Sequence, residues 1–237
     1  VAYRSKNLDE LGRIARGTFM VRRKREDILG QLPEMVRCQV PIEVPELKVF
    51  EAQDGIDIGE IVRAVEAGIP LMSDALSTAR RKLGELKAQG AYDYIVQVVL
   101  EEVQNCVVFV HHRAVYEALA SSLMLAGVSF VSVTGKTSVD DRQKAVDTFQ
   151  AGGARVFLAS LTAANVGITL TASSTVVFVE FDWTPSVNEQ AEGRVRRIGQ
   201  KDIMRSIYLF VPDSLDEKIL GVVRKKQREI GKVMQEV

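Results

Sequence analysis

Near the end of the chain, the run Asn188-Glu189-Gln190-Ala191-Glu192-Gly193-Arg194-Val195-Arg196-Arg197-Ile198-Gly199-Gln200 gathers residue types suited to phosphate chemistry. Read as a helix at about 100° per residue, Gln190, Arg194 and Arg197 share one face within about 60°, while Arg196 points away. Gly199 is then the natural end of the helix. Two permanently charged, planar donors one turn apart, with an amide beside them, match the oxygens of a transferring phosphoryl group. On an unplaced helix the same residues would be only a solvated basic face. The elements around them decide between the two readings.

Further candidates sit just after apolar runs. His111-His112-Arg113 follows CVVFV, and adjacent histidines do not share a helix face, which argues against a two-histidine metal site. Thr134-Gly135-Lys136-Thr137 imitates the end of a phosphate-binding loop. The glycine such a loop needs five positions before its Gly-Lys pair is replaced by Phe130, so backbone cradling of a triphosphate is excluded and a single phosphate contact at Lys136 or Thr137 remains. Ser160-Leu161-Thr162-Ala163-Ala164-Asn165-Val166-Gly167 is small and hydroxylated, which lets a backbone or a phosphate approach closely. The single tryptophan, Trp183, lies in Glu180-Phe181-Asp182-Trp183-Thr184-Pro185. It reads either as a half-buried packing residue or as an aromatic face for a base or sugar.

All of these loops belong to one pattern. Short apolar strands are predicted at Cys106–Val110, Val128–Val133, Arg155–Ala159, Thr175–Val179 and Ser206–Val211, with helices such as Val115–Leu125 and Val139–Phe149 between them. Continuously apolar strands alternating with helices predict a parallel α/β sheet covered on both faces, and such sheets bind ligands beyond the carboxyl ends of their strands. Before this, Val36, Cys38, Val40, Ile42 and Val44 alternate with polar residues in an edge strand, since Pro41 cannot serve a central one. Residues 1–45 hold that strand and a basic cluster, Arg22-Arg23-Lys24-Arg25. Residues 46–104 read as a small subdomain of three helices broken at Gly55, at Gly68-Ile69-Pro70 and at Gly90, residues 105–212 as the α/β unit, and Asp213–Val237 as a charged helix.

Composition bounds the rest. With 31 Lys+Arg against 31 Asp+Glu, the chain is not a purely electrostatic nucleic-acid binder, although a local basic face is allowed. Hydrophobic residues at 46% and charged residues at 26% exclude a disordered or fibrous class. No apolar run reaches the roughly 18 residues of a membrane span. Cys38 and Cys106 are too few for a zinc knuckle or a disulfide framework and read as core residues of a reducing compartment. The amino terminus starts mid-pattern, as expected of a piece of a longer chain.

Taken in order, these segments resemble the carboxy-terminal RecA-like lobe of superfamily-two helicases, specifically the Swi/Snf family of double-stranded-DNA translocases. The family's last motif, QAxxRxHRIGQ, is matched by QAEGRVRRIGQ at Gln190–Gln200, and its tryptophan loop by Asp182-Trp183-Thr184-Pro185. VVFVHHRAVYEAL at Val107–Leu119 is similar to motif IV. VTGKTSVDDRQKAVDTFQ at Val133–Gln150 is similar to the element that follows it, and places Gly135, Lys136 and Arg142. ASLTAANVGITLTAS at Ala159–Ser173 is similar to motif V in the form used by the annealing-helicase subgroup. FMVRRKREDILGQLP at Phe19–Pro33 resembles the family's lobe-junction stretch. Arg196 replaces the usual His and Gly193 the usual acid, neither of them on the Gln190, Arg194, Arg197 face.

The resemblance implies a RecA-like lobe acting on ATP and Mg2+ together with the first lobe of the same polypeptide, which supplies the phosphate loop and acidic box that this sequence lacks. It implies Arg194 and Arg197 as arginine fingers, and Gln190 and Gly167 beside the nucleotide. Arg113, Lys136, Ser160, Thr162 and Trp183 would lie on double-stranded or fork DNA. It further implies no activity for this chain alone, no membrane, and an intracellular site (nuclear in a eukaryote, nucleoid in a prokaryote). Two alternatives stay open: the lobe of another superfamily-two motor, such as an RNA helicase or restriction translocase, and a non-catalytic docking lobe.

Overall fold

The computed structural model describes residues 32–67, 74–165, 167–198, 200 and 202–235, together with residues 10, 13, 14, 17 and 18. The Arg22–Arg25 cluster and most of the Phe19–Pro33 stretch lie outside the described residues.

Six parallel strands form one sheet in the order β1-β6-β5-β2-β4-β3: β1 Met35–Pro41, β2 Cys106–Val110, β3 Phe130–Val133, β4 Val156–Ser160, β5 Thr175–Phe178 and β6 Met204–Phe210. Each predicted strand is present within a few residues of its expected ends. The apolar runs have no polar alternation because both faces are covered. Cys106, Val108 and Val110 of β2 pack on one side with Val115, Leu119 and Leu123, whereas Val107 and Phe109 pack on the other with Phe149, Phe157 and Phe178. Cys106 is fully buried among these side chains, and burial pushes its thiol pKa up to about 12, so it stays an inert core thiol. β1 is the edge strand that Pro41 demands, joined to β6 in register from Met35 opposite Met204 to Pro41 opposite Phe210.

The helices are α1 Glu46–Ala52, α2 Ile58–Ala67, α3 Asp74–Tyr94, α4 Arg113–Leu125, α5 Val139–Gln150, α6 Pro185–Glu192 and α7 Leu215–Gln235. The expected break at Gly90 is absent. α3 runs through it and continues as a π turn over Ile95–Val99 and a final turn over Leu100–Glu102. Both interior glycines of α3 serve close approach instead. A Cβ at Gly84 would sit 2.7 Å from Oε1 of Glu180, and one at Gly90 would sit 2.6 Å from Cγ2 of Ile42.

These contacts place α3 across the carboxyl ends of half the sheet. Arg80 reaches the chain just past β5 by donating from Nη2 to the Phe181 carbonyl at 3.1 Å. Lys87, 1% exposed, donates to the Leu209 carbonyl of β6 at 3.2 Å and pairs with Asp216 of α7. Gly90 meets the residue following β1. α3 shares the sheet's apolar core through Leu76, Leu83, Ala88 and Ala91, and α7 packs back through Leu215, Ile219, Leu220 and Val223. Beyond β2, β3 and β4, Arg113, Lys136 and Thr162 remain exposed. Among the described residues no helix is long and apolar enough to cross a membrane.

Candidate functional site

The strand-end loops carry the expected contact residues side by side, because β5, β2, β4 and β3 are neighbours in the sheet. Arg113 opens α4 after β2 and is exposed, with Nε donating to Glu117 at 2.7 Å. Such an exposed pair exchanges readily for a stronger anion. Lys136 is exposed in the loop after β3, which is tightened by Thr134 N donating to Thr137 Oγ1 at 2.9 Å and by Arg142 donating to the Thr137 carbonyl at 3.1 Å. Ser160 and Thr162 after β4 hold each other at 2.9 Å, and a Cβ at Gly135 would lie 3.6 Å from Thr162 Oγ1, so the β3 and β4 loops adjoin. α5 begins with Ser138 capping Asp141, and Asp140 and Asp141 fill its first turn. An anion here is therefore served by Lys136 and the hydroxyls rather than by the helix dipole.

The tryptophan loop after β5 is built by one buried amide. Asn188, 0% exposed, accepts from Asp182 N and donates to the Asp182 carbonyl, both at 2.8 Å, while Asp182 Oδ1 accepts from Thr184 N at 2.8 Å. Pro185 then starts α6 at a position that needs no amide hydrogen. Trp183 is half-buried against the core, with the Arg80 guanidinium 4.7 Å above its ring. Arg80 and Asn188 are given no role by sequence reasoning, since the partners that define them, Phe181, Asp182 and Trp183, are met only in the fold.

Glu180, 5% exposed, ties this loop to β2. Its Oε2 accepts from His111 N at 2.7 Å and His112 N at 2.8 Å, and its Oε1 meets His112 Nδ1 at 2.6 Å. Burial pushes the Glu180 pKa up, but the His112 contacts outweigh it and hold the carboxyl below its ordinary value. The associated stability is present above the unfolded pKa, about 4.3, and is lost as pH falls through the lower folded value. Glu180→Gln is therefore expected to flatten the loss of stability below about pH 4.3, read as urea midpoints across that range. An unchanged pH profile would assign the acid sensitivity elsewhere.

The arginine segment differs from the expected helix. α6 ends at Glu192, Gly193 is its C-cap, and residues 194–198 form successive turns. One helix face therefore does not align Gln190 with Arg194 and Arg197. Gln190 is exposed on α6, while the arginines are held by tertiary contacts. Leu170 N donates to the Arg194 carbonyl at 2.8 Å, and Arg197 Nη1 donates to Thr169 Oγ1 at 2.6 Å. Both contacts fall just past Gly167, which is exposed and has open space where a side chain would be. Arg196 turns away and donates to the Pro33 carbonyl at 2.9 Å. Arg194 and Arg197 both remain half-exposed.

The helix stops where it does because Glu192 is drawn into the core. At 2% exposure it accepts from Arg37 Nε at 2.9 Å and Nη2 at 2.6 Å, from Ser206 Oγ at 2.7 Å and from Tyr208 Oη at 3.1 Å. Burial and the neighbouring carboxylate raise the Tyr208 pKa well above its ordinary value, so the phenol remains a donor. Gln200, also buried, donates to the Thr171 and Ser173 carbonyls at 3.1 and 2.6 Å and closes the segment. Sequence reading gives Glu192 and Gln200 no role of their own, although both lie in the quoted motif.

Residues 90–199 match the helicase conserved C-terminal domain. The SWI/SNF-related matrix-associated actin-dependent regulator of chromatin subfamily A-like protein 1 of Drosophila melanogaster is 33% identical over 229 residues, covering 96% of this chain and 30% of its own length. The DNA annealing helicase and endonuclease ZRANB3 of Homo sapiens is 30% identical over 231 residues, covering 96% of this chain and 21% of that protein. The chain thus spans between about a fifth and a third of the curated relatives it matches. The crystal structure of the C-terminal part of the Fun30 ATPase domain superposes with a TM-score of 0.63 at 16% identity, over 81% of this chain and 90% of that one, which speaks for the fold. With the parallel sheet, the arginine segment and these relatives in agreement, the chain belongs to the Swi/Snf family of superfamily-two helicases, as its carboxy-terminal RecA-like lobe.

Proposed function

We propose that this chain is the second lobe of an ATP-dependent translocase on double-stranded DNA, of the fork-remodelling or chromatin-remodelling kind, and that it is inactive by itself. One observation carries the reading. The strand-end loops and the arginine segment belong to the same sheet, the second through Glu192, which binds Arg37 of β1 and Ser206 and Tyr208 of β6. A lobe that holds both can convert closure on a nucleotide into displacement along a backbone.

In this reading Arg194 and Arg197 are arginine fingers that stabilise charge on the transferring phosphoryl group, with the Gln190 amide and the Gly167 backbone beside the nucleotide. Two half-exposed guanidinium groups fit the phosphate end of ATP, and the chain offers no phosphate loop of its own, so the other lobe would hold the nucleotide and Mg2+. Arg113, Lys136, Ser160 and Thr162 would hold DNA phosphates, and Trp183 would lie against the duplex. Contacts to phosphates position a protein without reading sequence, so binding should be salt-dependent and nearly sequence-blind. The boundaries read from the sequence belong to the same proposal: residues 1–45 as lobe junction, 46–104 as a protrusion-like helical part, 105–212 as the lobe proper and 213–237 as its closing helix.

The test is ATP turnover with and without the first lobe. The chain alone is expected to show none, and the joined lobes to show turnover that requires duplex DNA. Stimulation by single-stranded RNA alone would favour an RNA helicase. Duplex binding without turnover in the joined protein would favour a docking lobe.

A further inference from the structure

We propose that Arg80 of α3 is a positioning residue for the tryptophan loop, setting duplex affinity by holding Trp183 rather than by touching DNA. The inference rests on the reading of Trp183 as a DNA contact and adds to it a residue from the helical part that carries no family motif.

The geometry is specific. The guanidinium lies 4.7 Å over the Trp183 ring and donates from Nη2 to the Phe181 carbonyl at 3.1 Å, so it grips the loop on both sides of Asp182. Asn188 clamps the same Asp182 from α6. The loop is thus held from two helices, and one face of the indole is already covered. The part of the half-buried ring that stays exposed is what remains for a ligand.

Arg80 is itself braced. Ala79 and Leu83 beside it on α3 are 1% and 0% exposed, and Gly84, one turn on, lets the helix press against Glu180. Asp182, Glu180 and Asp216 favour its charge, but burial outweighs them and lowers its pKa. A half-buried guanidinium already engaged with a carbonyl and an aromatic face is poorly placed to bind a phosphate and well placed to hold a ring. A lysine would keep the charge but lose the planar stack and the forked donors.

The sole tryptophan makes this measurable, because its emission in this chain reports on one ring. Arg80→Ala is expected to shift Trp183 emission to the red, increase its quenching by acrylamide, and weaken duplex binding about tenfold, the scale of a partly desolvated cation–π contact. Arg80→Lys should fall between wild type and Arg80→Ala in both readouts, which keeps the test open if the alanine variant folds poorly. The slope of binding against salt should not change, whereas loss of a direct phosphate contact would lower it by about one. Combined with Trp183→Ala, the Arg80→Ala effect on affinity should vanish.

Unchanged emission together with unchanged affinity in both Arg80 variants would overturn the proposal. So would a reduced salt slope with additive losses in the double variant, which would make Arg80 a DNA ligand. If Trp183→Ala alone leaves duplex binding intact, the DNA reading of the loop fails and this proposal with it. The emission shift would then still record that Arg80 holds the ring.

Discussion

Changing Arg194 to Ala, with the first lobe supplied and duplex DNA saturating, is expected to slow ATP turnover on the order of a thousand-fold, in line with removal of an arginine finger. Arg197 ties its side chain to Thr169 and to the Gly193 carbonyl, so its loss would mix chemistry with loop geometry. The backbone of residue 194 is held independently, through Leu170 N, and survives the change of side chain. Arg194→Lys should rescue little, because an ammonium cannot offer two parallel donors to a phosphoryl group. Duplex affinity without nucleotide should be unchanged. Turnover within tenfold of wild type would end the arginine-finger assignment.

The second large effect concerns Glu192, which touches no ligand in this scheme. Removing its carboxylate leaves Arg37, Ser206 and Tyr208 without their shared acceptor, in a site where Glu192 itself is 2% exposed. Breaking a buried pair costs about 3–5 kcal/mol, and since the Arg37 side chain is 38% exposed the lower end applies. Glu192→Ala should therefore lower stability by about 3 kcal/mol, measured as a shift of the urea midpoint at constant slope. Glu192→Gln keeps an acceptor for one partner and should lose less. Because this carboxylate links β1, β6 and the end of α6, turnover in the joined lobes should fall even where the Gln variant remains folded. A destabilised variant with full turnover would show that the arginine segment is held without it.

The same two positions mark how far the sequence could be read. Four strands of the sheet, β2, β4, β5 and β6, were legible because both their faces are buried, which leaves runs such as CVVFV without polar interruption, while β3 at the far edge is only partly buried. The edge strand was legible for the opposite reason, a period of two and a proline. The strand-end loops followed from the sheet alone, and the arginine motif announced itself by composition. What stayed hidden depends on pairs far apart in the chain. Arg37 lies 155 residues from Glu192 and Arg80 lies 101 from Phe181, and no local periodicity encodes such meetings. The helical wheel placed Arg194 and Arg197 on one face of a helix that ends before them, because a buried carboxylate draws the chain inward at Glu192. Gly90 misled as a helix breaker since its role is the space it leaves for Ile42. Lys87 and Asp216 are another such pair, one on α3 and one on α7.

The edge strand has a consequence for synthesis. β1 leaves the ribosome before the other strands of this sheet, yet the strand it hydrogen-bonds, β6, is the last of the sheet to be made. At about 5–20 residues per second, the wait is on the order of ten seconds. Throughout it, Val36, Cys38 and Val40 have no neighbouring strand, and Arg37 has no carboxylate to meet. Nascent chains of this lobe therefore pass through a stage in which the other strands can collapse while the first hangs loose, and that stage is where a chaperone would be of most use.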